Sequence, residues 1–366
     1  MKRTLIVLLT LVVLFSFVAC DATKQTYTIT YDYGYKGADN KQLFGQVSIT
    51  KPETPLKDGY VFLYWDLNGE PFNEWNQELT NDITLTAIWG KALNSSSNLP
   101  LQHIDNQFLP VLTEYYVLQD NLTSTATLIV PKGTTATLDL NGFKIDCPIE
   151  YQAISNRGNF TILDSSKEKT GIICNSLQNK TQNNLMHHLI YNNSVLTING
   201  GTFGDCDNDR TNENKANLGS AIYNYEGTVT INDGNFSCRD GSWKLNSEDT
   251  DFSGHSYALI NVNGNMTINN CNLYGKMRGG ISSENKSNVI IHDGNYSITG
   301  DDSEFLLATG APGQITVSGG DFTKTGSSWA IIGTFNPTWN SEDLTKNGFI
   351  LSGGTFIKNG FQLKYY

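Results

Sequence analysis

The chain has 366 residues, with 25 basic and 36 acidic side chains and a formal net charge of −11 at pH 7. This length is enough for two or three domains. The acidic balance argues against nucleic acid and anionic lipid surfaces as partners, and suits cations, neutral glycans or proteins. Glycine is abundant, with 34 residues, and helix signals are scarce, so the sequence predicts an all-β protein.

Residues 1–19 have the pattern of an export signal. Two basic residues precede the apolar stretch Leu5–Val18, which is too short to span a membrane comfortably. The stretch ends in residues 17–20 (FVAC), which resemble a lipobox. The resemblance implies that Cys20 becomes the lipidated N-terminus and anchors the chain to the membrane outside the cytoplasm. Ordinary signal cleavage, with an incidental cysteine, is the alternative.

Residues 26–90 read as a separate module. Strand-like segments lie at Tyr27–Asp32 (YTITYD), Gly59–Phe62 (GYVF) and Asp82–Ala87 (DITLTA). With Trp65 and Trp89, these segments resemble the Listeria–Bacteroides repeat, also called the internalin B-repeat. The resemblance implies a small β-grasp-like module of bacterial surface proteins, which is usually a spacer or a protein-interaction unit.

A module of this size needs large side chains to form a core. The sequence predicts that core at Trp65, Trp89, Phe62 and Leu85, and it favours Trp75 as a partly exposed contact. Residues 91–101 (KALNSSSNLPL) are rich in serine and asparagine, and they predict a linker that couples the module loosely to the rest of the chain.

One pattern repeats through residues 102–366. Apolar and polar residues alternate, as in a strand with one buried face, and a glycine-rich corner and one large apolar residue follow. Equivalent large residues are 33, 37, 23, 26 and 34 positions apart, which predicts a solenoid of three short strands per coil with loops inserted in the longer coils. The copies begin at residues 194 (SVLTINGGTF), 227 (GTVTINDGNF), 264 (GNMTINNCNL), 287 (SNVIIHDGNY), 313 (GQITVSGGDF) and 348 (GFILSGGTF).

These copies, with residues 137–145 (TLDLNGFKI) as an opening coil, resemble the pectin-lyase-like family, and its non-catalytic surface-protein branch more than its enzymes. The shortest repeats also fit one coil of a right-handed parallel β-helix, and their number predicts roughly eight coils at ~4.8 Å per coil. Asn156, Asn192 and Asn224 recur at one position of the coil, which predicts a stacked amide ladder. The last residues, 360–366, alternate like a strand and predict the final rung.

Three inserted segments, 204–219, 237–256 and 334–347, are predicted to follow the large apolar residue. Inserts at equivalent points of a solenoid emerge on one side, which is often the binding face. The aromatic residues and histidine in or beside them are candidate ligand contacts, or they fold back to cover the rod. These candidates are Trp243, His255, Tyr257 and Trp339.

Asp205, Asp207 and Asp209 form a D-x-D-x-D pattern whose alternate carboxylates could bind calcium. The sixth position, where such a loop needs glycine, is Arg210, so the sequence favours a solvated acidic loop. No other cofactor is expected.

Five cysteines follow Cys20, at positions 147, 174, 206, 238 and 271. The number is odd, so at least one stays unpaired or pairs between molecules. Cys206 and Cys238 occupy similar places in successive copies, so they could form a disulfide, and buried free thiols are the alternative. No CxxC motif occurs, which argues against zinc.

No residue receives a catalytic assignment. Gly300-Asp301-Asp302 is typical of a turn, and the motifs that accompany paired carboxylates in β-helix glycosidases are missing. The favoured hypothesis is a lipid-anchored bacterial surface protein, a non-catalytic adhesin or ligand-binding protein that contacts a host or matrix protein or glycan. A polysaccharide lyase or glycoside hydrolase is the alternative.

Overall fold

The computed structural model describes residues 24–149, 152–176, 188–204, 206, 220–237, 257–276, 279–299, 305–310, 312–326, 330–334 and 348–363. Within these ranges the chain forms strands and turns, and none of the described segments is a helix with the length and hydropathy that a membrane span requires. Two compact units are present. The first holds described residues 24–56 and 62–88, and the second holds 57–61 and 89–363.

The first unit is a small mixed sheet. Strand β1 (Tyr27–Asp32) pairs antiparallel with β2 (Lys41–Gln46) and parallel with β5 (Ile83–Leu93). Strand β3 (Tyr60–Leu67) pairs with β5 and, antiparallel, with β4 (Glu70–Pro71). The three segments that the sequence marked thus correspond to β1, β3 and β5, whereas β2 and β4 were not predicted.

The core of the first unit agrees with the prediction at Trp65 and Leu85, which are buried. Tyr31, which the sequence did not single out, is also buried, and its ring centroid lies 5.2 Å from that of Trp65. Phe62 and Trp89 stay partly exposed, so their prediction as core residues was wrong.

The predicted linker carries regular structure at both ends. Its first residues, Lys91–Leu93, pair in parallel with β8 (Tyr115–Leu118). Its last residue opens β6 (Leu101–Ile104), which forms an antiparallel hairpin with β7 (Gln107–Pro110). Between them, the Ser95 amide donates to Asp120 at 2.7 Å.

The rest of the second unit is a parallel β-helix built on three ladders of strands. The first ladder contains β8, β11 (Thr135–Asp139), β14 (Asn159–Leu163), β17 (Val195–Gly204), β19 (Thr228–Phe236), β21 (Asn265–Ile268), β24 (Asn288–Ile291), β27 (Gln314–Val317) and β30 (Gly348–Leu351).

The second ladder contains β9 (Leu122–Thr123), β12 (Lys144–Asp146), β15 (Ile172–Cys174), the later halves of β17 and β19, β22 (Asn272–Lys276), β25 (Asn295–Thr299), β28 (Asp321–Lys324) and β31 (Thr355–Lys358).

The third ladder contains β10 (Leu128–Val130), β13 (Ile154–Asn156), β16 (His188–Asn192), β18 (Ser220–Tyr225), β20 (Tyr257–Val262), β23 (Gly279–Glu284), β26 (Leu307–Thr309) and β29 (Ile332–Thr334). One strand from each ladder makes a coil, so the eight strands of this ladder correspond to the roughly eight coils that the repeat predicted.

Each coil buries its apolar side chains against the coils above and below it. The large residue after the glycine-rich corner forms a continuous stack: Phe203 lies 5.0 Å from Phe236, and Phe322 lies 4.7 Å from Phe356, ring centroid to ring centroid. These separations match the ~4.8 Å between neighbouring strands. Apolar burial is therefore shared between coils, and no coil has a complete core of its own.

The predicted asparagine ladder is confirmed and is one residue longer than predicted. Asn156, Asn192, Asn224 and Asn261 are fully buried. Each of the first three amides donates to the carboxamide oxygen of the next coil's asparagine at 2.6 Å. The same amide nitrogens also donate to backbone carbonyls of the turn, as Asn224 does to Gly227 at 2.9 Å. The ladder thus gives hydrogen-bond partners to buried amides and carbonyls, which would destabilise the fold if they had none.

The last described strand, β32 (Phe361–Leu363), pairs antiparallel with β31. The sequence was correct in predicting a strand here, but the strand is not a further parallel rung. A turn at Asn359-Gly360, both with positive φ, reverses the chain and lays it along the edge of β31. By pairing with β31, strand β32 covers the edge of the last coil. A further parallel rung would have exposed a new unpaired edge of its own.

Replacing Asn224 by alanine should destabilise the protein, because the change removes three buried hydrogen bonds and leaves Asn192 Nδ2 and Asn261 Oδ1 with fewer partners. We expect a loss of about 2–4 kcal/mol in the free energy of unfolding, measured by denaturant titration followed by circular dichroism. Asn232→Ala is the matched control. Asn232 also bonds to asparagines of both neighbouring coils, at 2.7 and 2.6 Å, but it is exposed. Equal losses in the two variants would contradict the importance of burial.

Candidate functional site: a tyrosine face on the third ladder

Tyrosine side chains on two successive strands of the third ladder, β16 and β18, point away from the core. Tyr191 lies between Ile190 and Asn192, both fully buried. The residues aligned with it in other coils are buried, at Ser155, Ile260, Ser282 and Ala308. Strand register aligns Tyr191 with Tyr223 of the next coil and Tyr223 with Ile260 of the coil after that. Tyr191, Tyr223, Tyr225 and His188, all partly exposed, are called the tyrosine face below.

The rings of this face contact one another. The His188 ring stacks on Tyr223 with centroids 4.2 Å apart and an interplanar angle of 26°, and the Tyr191 ring is nearly parallel to Tyr223 at 5.8 Å. His188 Nδ1 also lies 2.7 Å from Ser220 Oγ. These contacts restrict the side chains, so little conformational entropy would be lost when a ligand binds.

A small apolar cluster outside the main core supports the face. Tyr257, Ile260 and Val262 are buried there, and Tyr223 and Tyr225 pack against the cluster. These three residues belong to β20, in the coil that follows Tyr223 and Tyr225, and the fourth buried member of the cluster, Ala308, belongs to β26. Tyr223 and Tyr225 therefore pack against buried apolar residues on one side and remain partly exposed to solvent.

Charged groups border the tyrosine face. Glu284 accepts a hydrogen bond from Ser282 Oγ at 3.0 Å. Glu226 directly follows Tyr225 in a turn with positive φ. Arg157 forms an ion pair with Asp105 at the tip of the β6–β7 hairpin. The border is thus mainly acidic, with one arginine already paired.

Burial is the main cause of the tyrosines' shifted acidity. It raises the pKa of Tyr223 to about 12, with further increases from the negative charge of Glu284 and from Tyr191 and Tyr225. The pKa of Tyr191 is also raised, first by burial and then by Tyr225 and Glu226, while Arg157 acts in the opposite direction. At neutral pH both phenols are uncharged and can donate hydrogen bonds.

The structure places one of the predicted contact residues. Tyr257 is fully buried, and its ring lies where a side chain at Gly279 would otherwise be. Tyr257 therefore covers the rod, which is the packing role that the sequence left open as the alternative. Trp243, His255 and Trp339 lie outside the described residues, as do Cys20, the Gly300-Asp301-Asp302 turn, and Asp205, Asp207 and Asp209.

Inserted segments lead directly into the face. The connections 175–187, 205–219 and 238–256 each run from the second ladder to the third, and the described chain resumes at His188, Ser220 and Tyr257 respectively. The segment 335–347 does not belong to this set, because it connects β29 of the third ladder to β30 of the first. Its predicted equivalence to the other inserts was wrong.

The sequence missed Tyr191, Tyr223 and Tyr225, although the signal was present. The recurrent Ile-Tyr-Asn of residues 190–192 and 222–224 places an aromatic residue between an inward apolar residue and an inward asparagine. In a strand, that position can only point outward.

A disulfide joins Cys174 to Cys206, with their Cα atoms 5.0 Å apart. The sequence had left open a Cys206–Cys238 disulfide or a free thiol at Cys206, and the partner is instead Cys174. Cys174 is aligned with Gly204 in the second ladder, so the neighbouring coil already brings Cys206 within reach. The bond ties together the starting points of the 175–187 and 207–219 segments.

Asp146 lies beside the disulfide, with its carboxylate within 4.8 Å of both sulfurs. Metal binding by cysteine needs thiolates, and these two sulfurs are bonded to each other. Asp146 Oδ1 instead accepts a hydrogen bond from the Ser176 amide at 3.0 Å, just beyond the disulfide. Asp146 and the disulfide therefore stabilise this turn of the coil, and the bonded sulfurs are not available as metal ligands.

Two other cysteines, Cys147 and Cys271, are buried free thiols, as the sequence allowed. Burial raises the pKa of each to about 12, with the Asp146 charge adding to the effect at Cys147. Both are therefore unreactive thiols at neutral pH.

Buried carboxylates in the described residues serve the corners of the coils. Asp164 accepts hydrogen bonds from the amides of Gly142 at 2.9 Å and Gly171 at 2.6 Å. Asp139 accepts from the amides of Asn141 and Ser165, both at 2.9 Å. Each carboxylate thereby links its own coil to the next, and its oxygens are occupied by backbone donors rather than directed at a cleft.

Residues 27–88 match the family model of the Listeria-Bacteroides repeat domain. This match confirms the resemblance that the sequence suggested for the first module, and it points to a bacterial surface protein, because the family is typical of extracellular or surface proteins. No curated protein and no solved structure matches the chain.

Removing the disulfide should lower the stability of the protein. Its two cysteines are 32 residues apart, and closing a loop of that size contributes about 3–4 kcal/mol to the free energy of unfolding. Reductant should therefore lower the melting temperature of the wild type but not of the Cys174→Ala/Cys206→Ala variant. Peptide mapping without reduction should recover the Cys174–Cys206 link, and recovery of a Cys206–Cys238 link would contradict the structure.

The raised pKa of Tyr223 predicts a stability change at high pH. A tyrosine with a higher pKa in the folded state stabilises the fold below its unfolded-state value of 10, and this contribution is lost as pH rises through about 12. Tyr223→Phe should therefore flatten the decline in melting temperature between these pH values. It should also remove one late-titrating phenol from the absorbance titration at 295 nm. Loss of a phenol that titrates near pH 10 instead would show that Tyr223 ionises normally.

Proposed function

We propose that the protein is a lipid-anchored, extracytoplasmic bacterial surface protein that binds a host or matrix protein or glycan without catalysis. Its β-helix, of the pectin-lyase-like kind, serves as the binding scaffold. The observation that carries the proposal is the tyrosine face, in which partly exposed rings are stacked on a fixed apolar base. Tyrosine gives a large contact area and a hydrogen-bond donor with only two side-chain torsions to restrict.

The chemistry of the face favours an uncharged ligand or a ligand with hydrogen-bond acceptors. The phenols of Tyr191 and Tyr223 are neutral donors at physiological pH, as ordinary phenols are, and their raised pKa values keep them neutral at higher pH as well. Glu226 and Glu284 at the border would repel polyanions. Sugar hydroxyls, backbone carbonyls and cationic side chains all fit these groups.

The inserted segments add to the argument. Three of them join the second ladder to the third and end at the edge of the face. The disulfide ties the starting points of two of these segments. Loops held on a rigid scaffold are the usual place for binding residues, which supports the third ladder as the binding side.

The decisive experiment compares binding in wild type and face variants. Wild-type protein is screened on a glycan array and against matrix proteins, and each hit is measured again with Tyr191→Ala/Tyr223→Ala. We expect at least a tenfold loss of affinity. Tyr64→Ala, which removes a tyrosine that is 36% exposed in the first unit, is the matched control and should bind normally.

A second variant separates folding from recognition. Tyr191→Phe/Tyr223→Phe keeps the packing and removes only the hydroxyl groups, so a weaker but measurable loss is expected. Unchanged binding in both double variants would disprove the role of the face. Release of products from polyuronides or neutral glycans by the purified protein would favour the lyase or hydrolase alternative.

The anchor requires a test of its own. Cys20→Ala should move the protein from the membrane fraction to the medium and abolish metabolic labelling with palmitate. Retention of both in the variant would show that Cys20 is not the lipidation site.

A further inference from the structure

The first ladder presents a second outward surface, distinct from the tyrosine face. On seven successive strands, two residues point outward beside a buried neighbour. The pairs are Thr135 and Thr137, Asn159 and Thr161, Val195 and Thr197, Thr228 and Thr230, Asn265 and Thr267, Asn288 and Ile290, and Gln314 and Thr316. These fourteen residues are called the threonine array below.

Strand register makes the array periodic. Thr137 is aligned with Thr161, Thr161 with Thr197, and Thr197 in turn with Thr230 and then Thr267. Neighbouring threonines of this row are therefore ~4.8 Å apart along the rod, and the two rows are about 6.6 Å apart along the strands. A ligand along the inner row would meet a threonine at each of the five coils from Thr137 to Thr267, while the outer row varies between threonine, asparagine, valine and glutamine.

All fourteen residues of the array are uncharged, although charged residues make up 17% of the chain and are normally concentrated on surfaces. Charges occur immediately beyond it, at Asp233, Asp293 and Asp321 on the following corner and strand. The outer row is largely exposed, and the inner row is half-buried. The preference of threonine for strands explains the threonines, but it does not explain why lysine and glutamate are missing from both rows.

We propose that the threonine array binds a straight, uncharged β-1,4-linked polysaccharide that runs along the rod with about one sugar facing each coil. Threonine offers a hydroxyl group and a methyl group, which suit the hydroxyl edge and the apolar C–H surface of a sugar ring. The exposed amides of Asn159 and Asn265 can donate to and accept from sugar hydroxyls. An uncharged surface also avoids the cost of desolvating ions.

The periodicity determines which shape of polymer fits. Each coil offers only weak contacts, so affinity requires many of them at once, and the ligand must repeat in step with the coils. An extended β-1,4-linked chain is straight and presents its sugars at nearly constant spacing. Coiled α-linked glucans leave the surface after a few sugars, and polyuronides bring charges that the array does not match.

The test measures retardation of the protein in native gels containing hydroxyethylcellulose or glycol chitin. We expect retardation in at least one of these gels and none with amylopectin or polygalacturonate. With cello- or chito-oligosaccharides, the affinity should rise steadily from the trimer to the hexamer, because each added sugar meets another coil. No retardation by either β-1,4-linked polymer, or equal retardation by amylopectin, would overturn the proposal.

The variants place two charges in the middle of the array. Thr197→Lys/Thr230→Lys should abolish retardation. The matched control is Thr202→Lys/Asn235→Lys, which changes two outward residues of the same strands in the second ladder, and it should bind like wild type. Circular dichroism checks that both variants fold. Full retardation of the array variant would overturn the proposal.

This proposal is independent of the tyrosine face. Tyr191→Ala/Tyr223→Ala should leave retardation by the β-1,4-linked polymer unchanged, and the array variant should leave the ligands of the tyrosine face unchanged. Loss of polymer binding in the tyrosine variant would show that the polymer binds there, and it would overturn the assignment to the threonine array.

Discussion

The asparagine ladder imposes the constraint on which the rest of the β-helix depends. Each buried amide of Asn156, Asn192 and Asn224 has its partner in the following coil. A shift of one residue between two coils would remove that partner and bury an unsatisfied amide, at a cost of about 1–3 kcal/mol. The row of asparagines therefore fixes the register between coils in the third ladder of strands. The stacked rings of Phe203 and Phe236 fix it in the second ladder of strands.

The fixed register of the inward-facing residues also aligns the outward-facing residues from coil to coil. Because side chains alternate along a strand, a constant inward row forces the residues beside it into a constant outward row. The tyrosine face and the threonine array are both such rows, on different ladders. One is aromatic and has an acidic border, and the other is uncharged and periodic, so the same packing rule yields two surfaces of different chemistry.

The coils differ in the length of the connection between the second ladder and the third. Segments of different length join the second ladder to the third there, and the Cys174–Cys206 disulfide links two of their starting points. On both sides of these connections the strands pair with the strands of neighbouring coils. The repeat domain at residues 27–88 points to a bacterial surface protein.

The sequence by itself determined the features that depend on local pattern. The repeat predicted a parallel β-helix with its coil number, and the recurring asparagines predicted their ladder, because the alternation of side chains is a property of each strand. The antiparallel direction of β32 came from the structure, where a turn at Asn359-Gly360 reverses the chain. Only the tertiary structure likewise decided the partner of Cys206 and the burial of Tyr257. These features depend on which residues of neighbouring coils lie side by side, and inserts of different length between copies 23 to 37 residues apart conceal that alignment in the sequence.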